Sequence, residues 1–338
     1  MNNNNGLTAL RGWAVLMVLL AHTSNLGYTF LGLDMSGYGK NGVYLFFALS
    51  SFLLSIQLLD AFAKRKDLGF IVHYILKRIA RIYPLFTLTV FAFYIISLII
   101  SPVYITSIDM FRDTLLLLEG PGIFWTIAVE FKYYFILPFL VGVLHTIKGR
   151  NLLLMAFGVS VYVLFFGVLK RDAQDLTYFI SLFFLSSLFS VVSSDENNFL
   201  HEKNCFKIVF AACSLWVFLT IPHLWSWLLG IDLNYKFFDD YYFIYAFACP
   251  VVVYGVANVL KNKNGIFSNK YICFLGEISY SLYLIHMFVI YGAYHLGVEA
   301  GITVFIPLLV VIIMSSMLVY YFIEKPITMF LYKKIANI

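Results

Sequence analysis

Long apolar runs separated by short polar connections make up most of this chain. Ten of the runs are long enough, at about 17–25 residues, to cross the hydrocarbon core of a bilayer as α-helices. They cover approximately residues 7–26, 42–62, 83–101, 123–145, 152–169, 175–193, 205–221, 240–260, 271–294 and 302–323. The pattern predicts an all-α integral membrane protein, a polytopic bundle of about ten transmembrane helices.

The composition supports a lipid environment for these helices. Of the 338 residues, 62% are hydrophobic and only 12% are charged, whereas a soluble domain carries roughly 25% charged residues. We therefore expect a single transmembrane domain over residues 1–338, in contact with the lipid bilayer. The four cysteines have no CxxC or metal-ligand spacing, so neither a metal site nor a structural disulfide is predicted.

Basic residues are distributed unevenly between the two sets of connections. If the N-terminus is cytoplasmic, sixteen lie inside (Lys64, Arg65, Lys66, Lys77, Arg78, Arg81, Lys148, Arg150, Lys203, Lys207, Lys261, Lys263, Lys270, Lys325, Lys333 and Lys334) and five outside (Lys40, Arg112, Lys170, Arg171 and Lys236). This positive-inside bias predicts that both termini are cytoplasmic. The net charge of +5 thus reflects topology and indicates no nucleic-acid partner.

One polar stretch, at about residues 63–82, has a basic amphipathic pattern. It is predicted to lie along the cytoplasmic membrane surface, and it ends in the sequence LKRIARIYP. Arg78 and Arg81 are three residues apart and share a helical face, and guanidinium groups suit phosphates. The alternative is the ordinary basic flank of a membrane helix.

The first span carries two ionisable residues, Arg11 and His22. Their separation of eleven residues corresponds to about 1100°, within about 20° of three full turns, so they share one helical face roughly 16 Å apart along the axis. Ionisable groups inside a membrane are costly and generally functional. We expect His22 to be a general base. The alternative for His22 is a hydrogen-bonded histidine inside the bundle, and for Arg11 it is snorkelling to lipid phosphates.

The fourth span contains Glu130 and Lys132 on its outer side. Residues two apart do not face each other on a helix, so Glu130 is expected to face protein and Lys132 a different surface. Glu130 is a candidate for orienting or charge-stabilising His22 if the two spans touch. A structural salt bridge is the alternative for either residue, and the preferred one for Lys132.

The ninth span places His286 beyond the bilayer midplane, in a polar stripe with Ser279, Tyr280 and Tyr283. His286 and Tyr283 are candidate substrate-binding residues. The alternative for His286 is a hydrogen-bonded core histidine without a role in chemistry.

Several of these segments, in this order, resemble motifs of the acyltransferase family 3 of membrane proteins. LTALRGWAVLMVLLAH resembles the family's Arg-x10-His segment, and VYLFFALSSFLLS is a counterpart of its FFxLSGF segment. RIARIYP resembles its RxxR-x-YP segment, and FWTIAVEFKYYFILP its W-x-x-x-V-E segment. LGEISYSLYLIH and IEKP resemble its last two helices. The resemblance extends from about residue 7 to 326. Ser51 departs from the family pattern, which has glycine there; a small residue still permits close helix packing.

The resemblance implies a membrane O-acyltransferase that moves an acyl group, expected to be acetyl, from cytoplasmic acyl-CoA to a hydroxyl of a cell-envelope carbohydrate. Arg11, Arg78 and Arg81 would bind the CoA phosphates, and His22, with Glu130, would carry the catalysis. The expected location is the bacterial inner membrane. A transporter or exporter of a glycan or small anion is the rival class, because buried His, Glu and Arg also line translocation paths.

Overall fold

A computed structural model describes residues 5–64, 69–100, 103–147, 175–195, 200–231, 240–261 and 267–337, with the isolated positions 158, 237 and 265. Within these ranges the chain forms the α-helices α1 (Asn5–Asn25), α2 (Gly39–Ala63), α3 (Gly69–Ile99), α4 (Ile108–Leu115), α5 (Trp125–Thr146), α6 (Leu176–Ser194), α7 (Asn204–Leu219), α8 (Pro222–Leu229), α9 (Tyr242–Asn258), α10 (Lys270–Glu277), α11 (Ser279–His295), α12 (Ile302–Val319) and α13 (Lys325–Ile335). Short 3₁₀ turns precede α5 at Gly122–Phe124 and α7 at Leu200–Glu202.

The helices are those of a multi-pass membrane protein. Over the described ranges, six segments are long and apolar enough to cross a membrane, and eight if each bent pair of helices counts as one span. The predicted span at 152–169 lies outside the described residues, except for Gly158. The all-α prediction is confirmed for the described part of the chain, while the total of ten spans and the cytoplasmic position of the termini stay predictions.

One sharp bend follows a predicted span, and another divides one. The span at 205–221 corresponds to α7, and α8 follows it at an angle of 96°. Pro222 starts α8, and Ile221 before it is extended (φ −90°, ψ 118°), as expected for a residue that precedes proline. The run at 271–294 divides into α10 and α11, which meet at Ile278 (φ −89°, ψ 6°) with a bend of 78°.

The described part of the predicted surface segment at 63–82 belongs to a long helix. Helix α3 runs without interruption from Gly69 to Ile99 and contains Pro84 in its interior. Neighbouring helices make interior prolines tolerable in membrane proteins. Near this proline, Tyr280 of α11 donates a hydrogen bond to the carbonyl of Ile82 at 2.7 Å. This bond links α3 to α11, and it is distinct from the Ala80 carbonyl that loses its helical donor at Pro84. Arg78 and Arg81 therefore stand on one continuous helix directed into the bundle.

Helix α2 is the centre of the bundle and packs against α1, α5, α6 and α9. Its Ser51 is fully buried and donates to the carbonyl of Phe183 at 2.6 Å. The same hydroxyl lies 2.9 Å from Ser187 Oγ and 3.1 Å from Tyr133 OH. Small hydroxyl residues connect membrane helices in this way because they permit close packing and bond across the interface. The serine that replaces the family's glycine thus joins α2 to α5 and α6.

Two glycines allow α1 to pack directly on α10. A Cβ added at Gly276 would overlap the carbonyl oxygen of Thr8, and one added at Gly12 would overlap the carbonyl oxygen of Ile272. Neither backbone can withdraw without moving its whole helix. This contact determines where α1, with Arg11 and His22, stands relative to α11.

We expect Gly276→Ala to destabilise the protein, because overpacking a tight interface typically costs about 1–3 kcal/mol. The measurement is the apparent melting temperature of the detergent-solubilised protein. Gly292→Ala in α11 is the matched control, since nothing lies within 4 Å of a Cβ there. Equal melting temperatures for the two variants would contradict the proposed close contact between α1 and α10.

Candidate active site

A cavity of about 330 Å³ lies among α1, α2, α3, α5 and α11. Apolar side chains form much of its wall, and its polar groups come from all five helices. These polar residues are Thr8, Arg11, Ser50, Gln57, Arg78, Arg81, Thr126, Glu130, Tyr134, Ser279, Tyr280 and Tyr283. Such a concave site with a limited set of convergent polar groups is typical of small-molecule binding. We refer to it as the arginine cavity.

The arginine cavity brings together the three arginines singled out in the sequence. Arg11 comes from α1, while Arg78 and Arg81 come from α3. Within the described part of the chain, the buried Nε of Arg78 has no hydrogen-bond partner. A buried donor without an acceptor is costly, and three arginines beside the one carboxylate of the cavity lining favour an anion. The donor set therefore fits a phosphate or carboxylate ligand.

Glu130 also lies in this cavity. Its Oε1 accepts a hydrogen bond from Tyr134 OH at 2.6 Å, and its charge interacts with that of Arg11. Lys132 points elsewhere: it is exposed and donates to the carbonyl of Leu118 at 3.3 Å. The two residues thus face different surfaces, as predicted. Glu130 contacts Tyr134 and interacts with Arg11, while the hydrogen-bond partner of His22 is His286.

His22 pairs with His286. His22 Nδ1 lies 2.7 Å from His286 Nε2, and the two rings are nearly parallel, with an interplanar angle of 6° and centroids 5.0 Å apart. His286 is fully buried at 0% exposure, whereas His22 is partly buried. Two residues 264 positions apart in the chain thus form one imidazole pair, about three turns of α1 beyond Arg11.

Tyr283 lies between the arginine cavity and the imidazole pair. It lines the cavity, and its ring centroid is 5.9 Å from that of His286. Its hydroxyl donates to the carbonyl of Ile123 at 2.8 Å and lies 2.8 Å from Thr126 Oγ1. These contacts hold the ring at the end of the cavity that is nearest the pair.

Sequence reasoning missed a buried carboxylate near the site. Glu324, in the π-helical turn Tyr320–Glu324 between α12 and α13, accepts a hydrogen bond from Ser281 Oγ at 2.5 Å. It is 8% exposed, and its charge interacts with that of Arg81. A π-helical turn inside a helix frequently marks a functional site. The usable signal was a glutamate directly after the apolar run at 302–323.

Comparison with known proteins places the chain in an enzyme family. The model of a family described as an acyltransferase domain matches residues 4–324, nearly the whole chain, and the chain belongs to this acyltransferase 3 family. It is therefore a multi-pass membrane acyltransferase. No solved structure matches the chain.

Two named relatives give further detail. A protein of Acidianus two-tailed virus, named "Putative acetyltransferase ORF330", is 29% identical over 297 residues, which cover 83% of this chain and 82% of the relative. The O-acetyltransferase OatA of Staphylococcus aureus is 22% identical over 362 aligned positions, which cover 95% of this chain. The match spans only 57% of the length of OatA.

We expect Ser281→Ala to destabilise the protein by about 1–3 kcal/mol, because the buried carboxylate of Glu324 then loses its hydrogen-bond donor. The apparent melting temperature measures the effect. Ser315→Ala is the matched control, since Ser315 bonds only to carbonyls of its own helix, at Val311 and Ile312. A drop of the same size in the control would indicate that the Ser281–Glu324 contact contributes nothing of its own.

Proposed function

We propose that the protein is an O-acetyltransferase that moves an acetyl group from acetyl-CoA to a hydroxyl of a cell-envelope carbohydrate. Family membership supports acyl transfer, and the names of both relatives support acetyl as the group. The observation that carries the proposal is the arrangement along α1. The arginine cavity contains Arg11, and an imidazole pair contains His22 three turns away on the same helical face.

The three arginines are the proposed binding site for the phosphates of the donor. Guanidinium groups bond phosphate oxygens bidentately, and the Arg78 Nε–H that lacks a partner among the described residues is available for one such bond. Glu130 partly compensates the positive charge beside Arg11. A cavity of about 330 Å³ is at the lower end of the range for small-molecule sites. We therefore assign it only part of the donor, with the rest extending from the cavity.

The proposed chemistry is one acyl transfer with His22 as the base. His22 removes the proton from the acceptor hydroxyl as the hydroxyl oxygen attacks the thioester carbonyl carbon. The resulting tetrahedral intermediate collapses, the C–S bond breaks, and the leaving CoA thiolate is protonated by His22 with the proton taken from the acceptor hydroxyl. An acetyl ester and free CoA are the products. Tyr283, at the end of the cavity nearest the imidazole pair, is the proposed contact for the acyl end of the donor.

The proposed arrangement in the membrane separates donor from acceptor. With both termini cytoplasmic, the arginine cavity opens toward the cytoplasmic side of α1 and His22 lies toward the outer side. The acyl donor would then enter from the cytoplasm of a bacterial cell, and a glycan hydroxyl would reach His22 from outside. Both substrates would meet within the bundle, where bulk water does not compete for the thioester.

The direct test of the function uses purified protein in liposomes, with acetyl-CoA carrying a labelled acetyl group and an extract of envelope glycans. Label should appear in the glycan as an ester that mild base removes, with one free CoA released per ester. A transporter would instead accumulate glycan or anion inside the liposomes with no change in mass. That result, with no labelled ester, would overturn the proposal.

We expect Arg78→Ala to weaken acetyl-CoA binding at least tenfold, because charge-assisted hydrogen bonds are worth about 1.5–3 kcal/mol each. Arg78→Lys should restore binding poorly, since an ammonium lacks the bidentate fork. Isothermal titration with acetyl-CoA measures both affinities. Lys77→Ala is the control on the same helix, because Lys77 does not line the cavity. Unchanged affinity in Arg78→Ala would mean that Arg78 serves as an ordinary basic flank of the helix.

We expect His22→Ala to lower the rate of acetyl transfer by about 10²–10⁴-fold, the usual contribution of a general base. Acetyl-CoA binding should persist, because the arginines lie about three helical turns away. The test combines titration and product analysis by mass spectrometry on one purified variant. Transfer at the wild-type rate would remove His22 from the catalytic machinery.

A further inference from the structure

The donor and the acceptor in the hydrogen bond between His22 and His286 can be assigned from a third group, the Leu282 carbonyl. His286 Nδ1 lies 3.2 Å from the carbonyl oxygen of Leu282, one turn earlier in α11. A carbonyl oxygen only accepts hydrogen bonds, so His286 Nδ1 must carry the proton and donate it. In the neutral ring the other nitrogen, Nε2, is then an acceptor.

The partner of this acceptor is His22. Because His286 Nε2 accepts, the 2.7 Å contact requires His22 Nδ1 to carry a proton and donate it. The lone pair of neutral His22 is then on Nε2. Among the described residues, His22 Nε2 has no hydrogen-bond partner, and residue His22 is only partly buried, whereas His286 is fully buried. The hydrogen bonds from His22 to His286 and from His286 to the Leu282 carbonyl leave His22 Nε2 as the one ring nitrogen of the pair without a partner among the described residues.

We propose that His286 is a positioning residue which holds His22 as the Nδ1-protonated tautomer, with Nε2 free to act as the base. The proposal rests on the proposed function of His22. It gives His286 a role different from the substrate contact expected from the sequence: His286 is fully buried, and its Nε2 is already engaged by His22.

The geometry explains why a histidine suits this position. The two rings are nearly parallel, so the hydrogen bond fixes both the tautomer and the plane of the His22 ring. The Leu282 carbonyl belongs to α11 itself, which makes the orientation of His286 independent of any loop. In addition, the Tyr283 ring, 5.9 Å away between centroids, packs beside His286 and restricts its rotation.

The test compares three substitutions at position 286. Gln keeps an acceptor oxygen near the position of Nε2 and should retain acetyl transfer within about tenfold of wild type. Asn carries the same amide but is too short to reach His22, and Leu has no acceptor. Both should lower the turnover rate by about 100-fold or more, within the range of a lost general base. The donor affinity should stay at the wild-type value in all three.

The matched control is His295→Gln at the exposed C-terminal end of α11, which should transfer acetyl at the wild-type rate. If the Leu variant does not fold, as judged by lost acetyl-CoA binding, the Gln and Asn variants still decide the matter, since they differ only in reach. Equal rates for Gln and Asn, whether high or low, would overturn the positioning role.

A second readout does not depend on activity. The measurement is ¹⁵N NMR of protein labelled with ¹⁵N-histidine, which contains seven histidines. The signals of His22 are identified as those that are missing from the spectrum of His22→Ala. We expect a protonated Nδ1 and an unprotonated Nε2 in the wild type, and a mixture of tautomers in His286→Asn. A protonated Nε2 on neutral His22 in the wild type would overturn the proposal.

The two proposals fail in different ways. If wild-type protein forms no acetyl ester although His22 shows the expected tautomer, the function is wrong and the pairing is correct. If the wild type transfers acetyl, His22→Ala does not, and all variants at position 286 transfer normally, then the function is correct and the positioning role is wrong.

Discussion

The contact between α1 and the bent pair α10–α11 is the constraint on which the rest of the structure depends. Gly12 and Gly276 bring two backbones to a separation that no side chain larger than hydrogen permits. In lipid no hydrophobic force drives helices together, so close packing of small residues provides much of the association. Because α11 follows directly after α10, this close packing also positions α11 beside α1. His22 Nδ1 then lies 2.7 Å from His286 Nε2. The two backbone contacts at Gly12 and Gly276 therefore set the position of the imidazole pair.

The bend at Ile278 completes this arrangement. If residues 271–294 formed one straight helix packed on α1 at Gly276, Tyr280, Tyr283 and His286 could not all lie where they are, beside the arginine cavity and His22. The 78° change of direction allows α10 to pack along α1 while α11 enters the bundle. Tyr280 then reaches the Ile82 carbonyl of α3, and this bond links the third helix of the arginine cavity to the same framework.

The charged groups are placed where the bundle compensates them. Three arginines share their cavity with Glu130, and Glu324 lies near Arg81. Burial of charge away from water is costly unless the charge is paired or hydrogen-bonded, which is why Tyr134 and Ser281 donate to the two carboxylates. The arrangement leaves an excess of positive charge and an unsatisfied Arg78 donor. That excess is the physical basis for expecting an anionic ligand.

The sequence by itself determined that the chain forms membrane-embedded helices. It also determined that Arg11 and His22 share one helical face and that Arg78 and Arg81 share another. These features depend on hydrophobicity and helical periodicity, which are local properties. Only the tertiary structure decided that His22 pairs with His286, that Glu130 joins the arginines and that α10 and α11 meet at a bend. Each of these depends on the register between helices distant in sequence. That register is set by backbone contacts such as Gly276 with Thr8, which no periodicity within a single helix can specify.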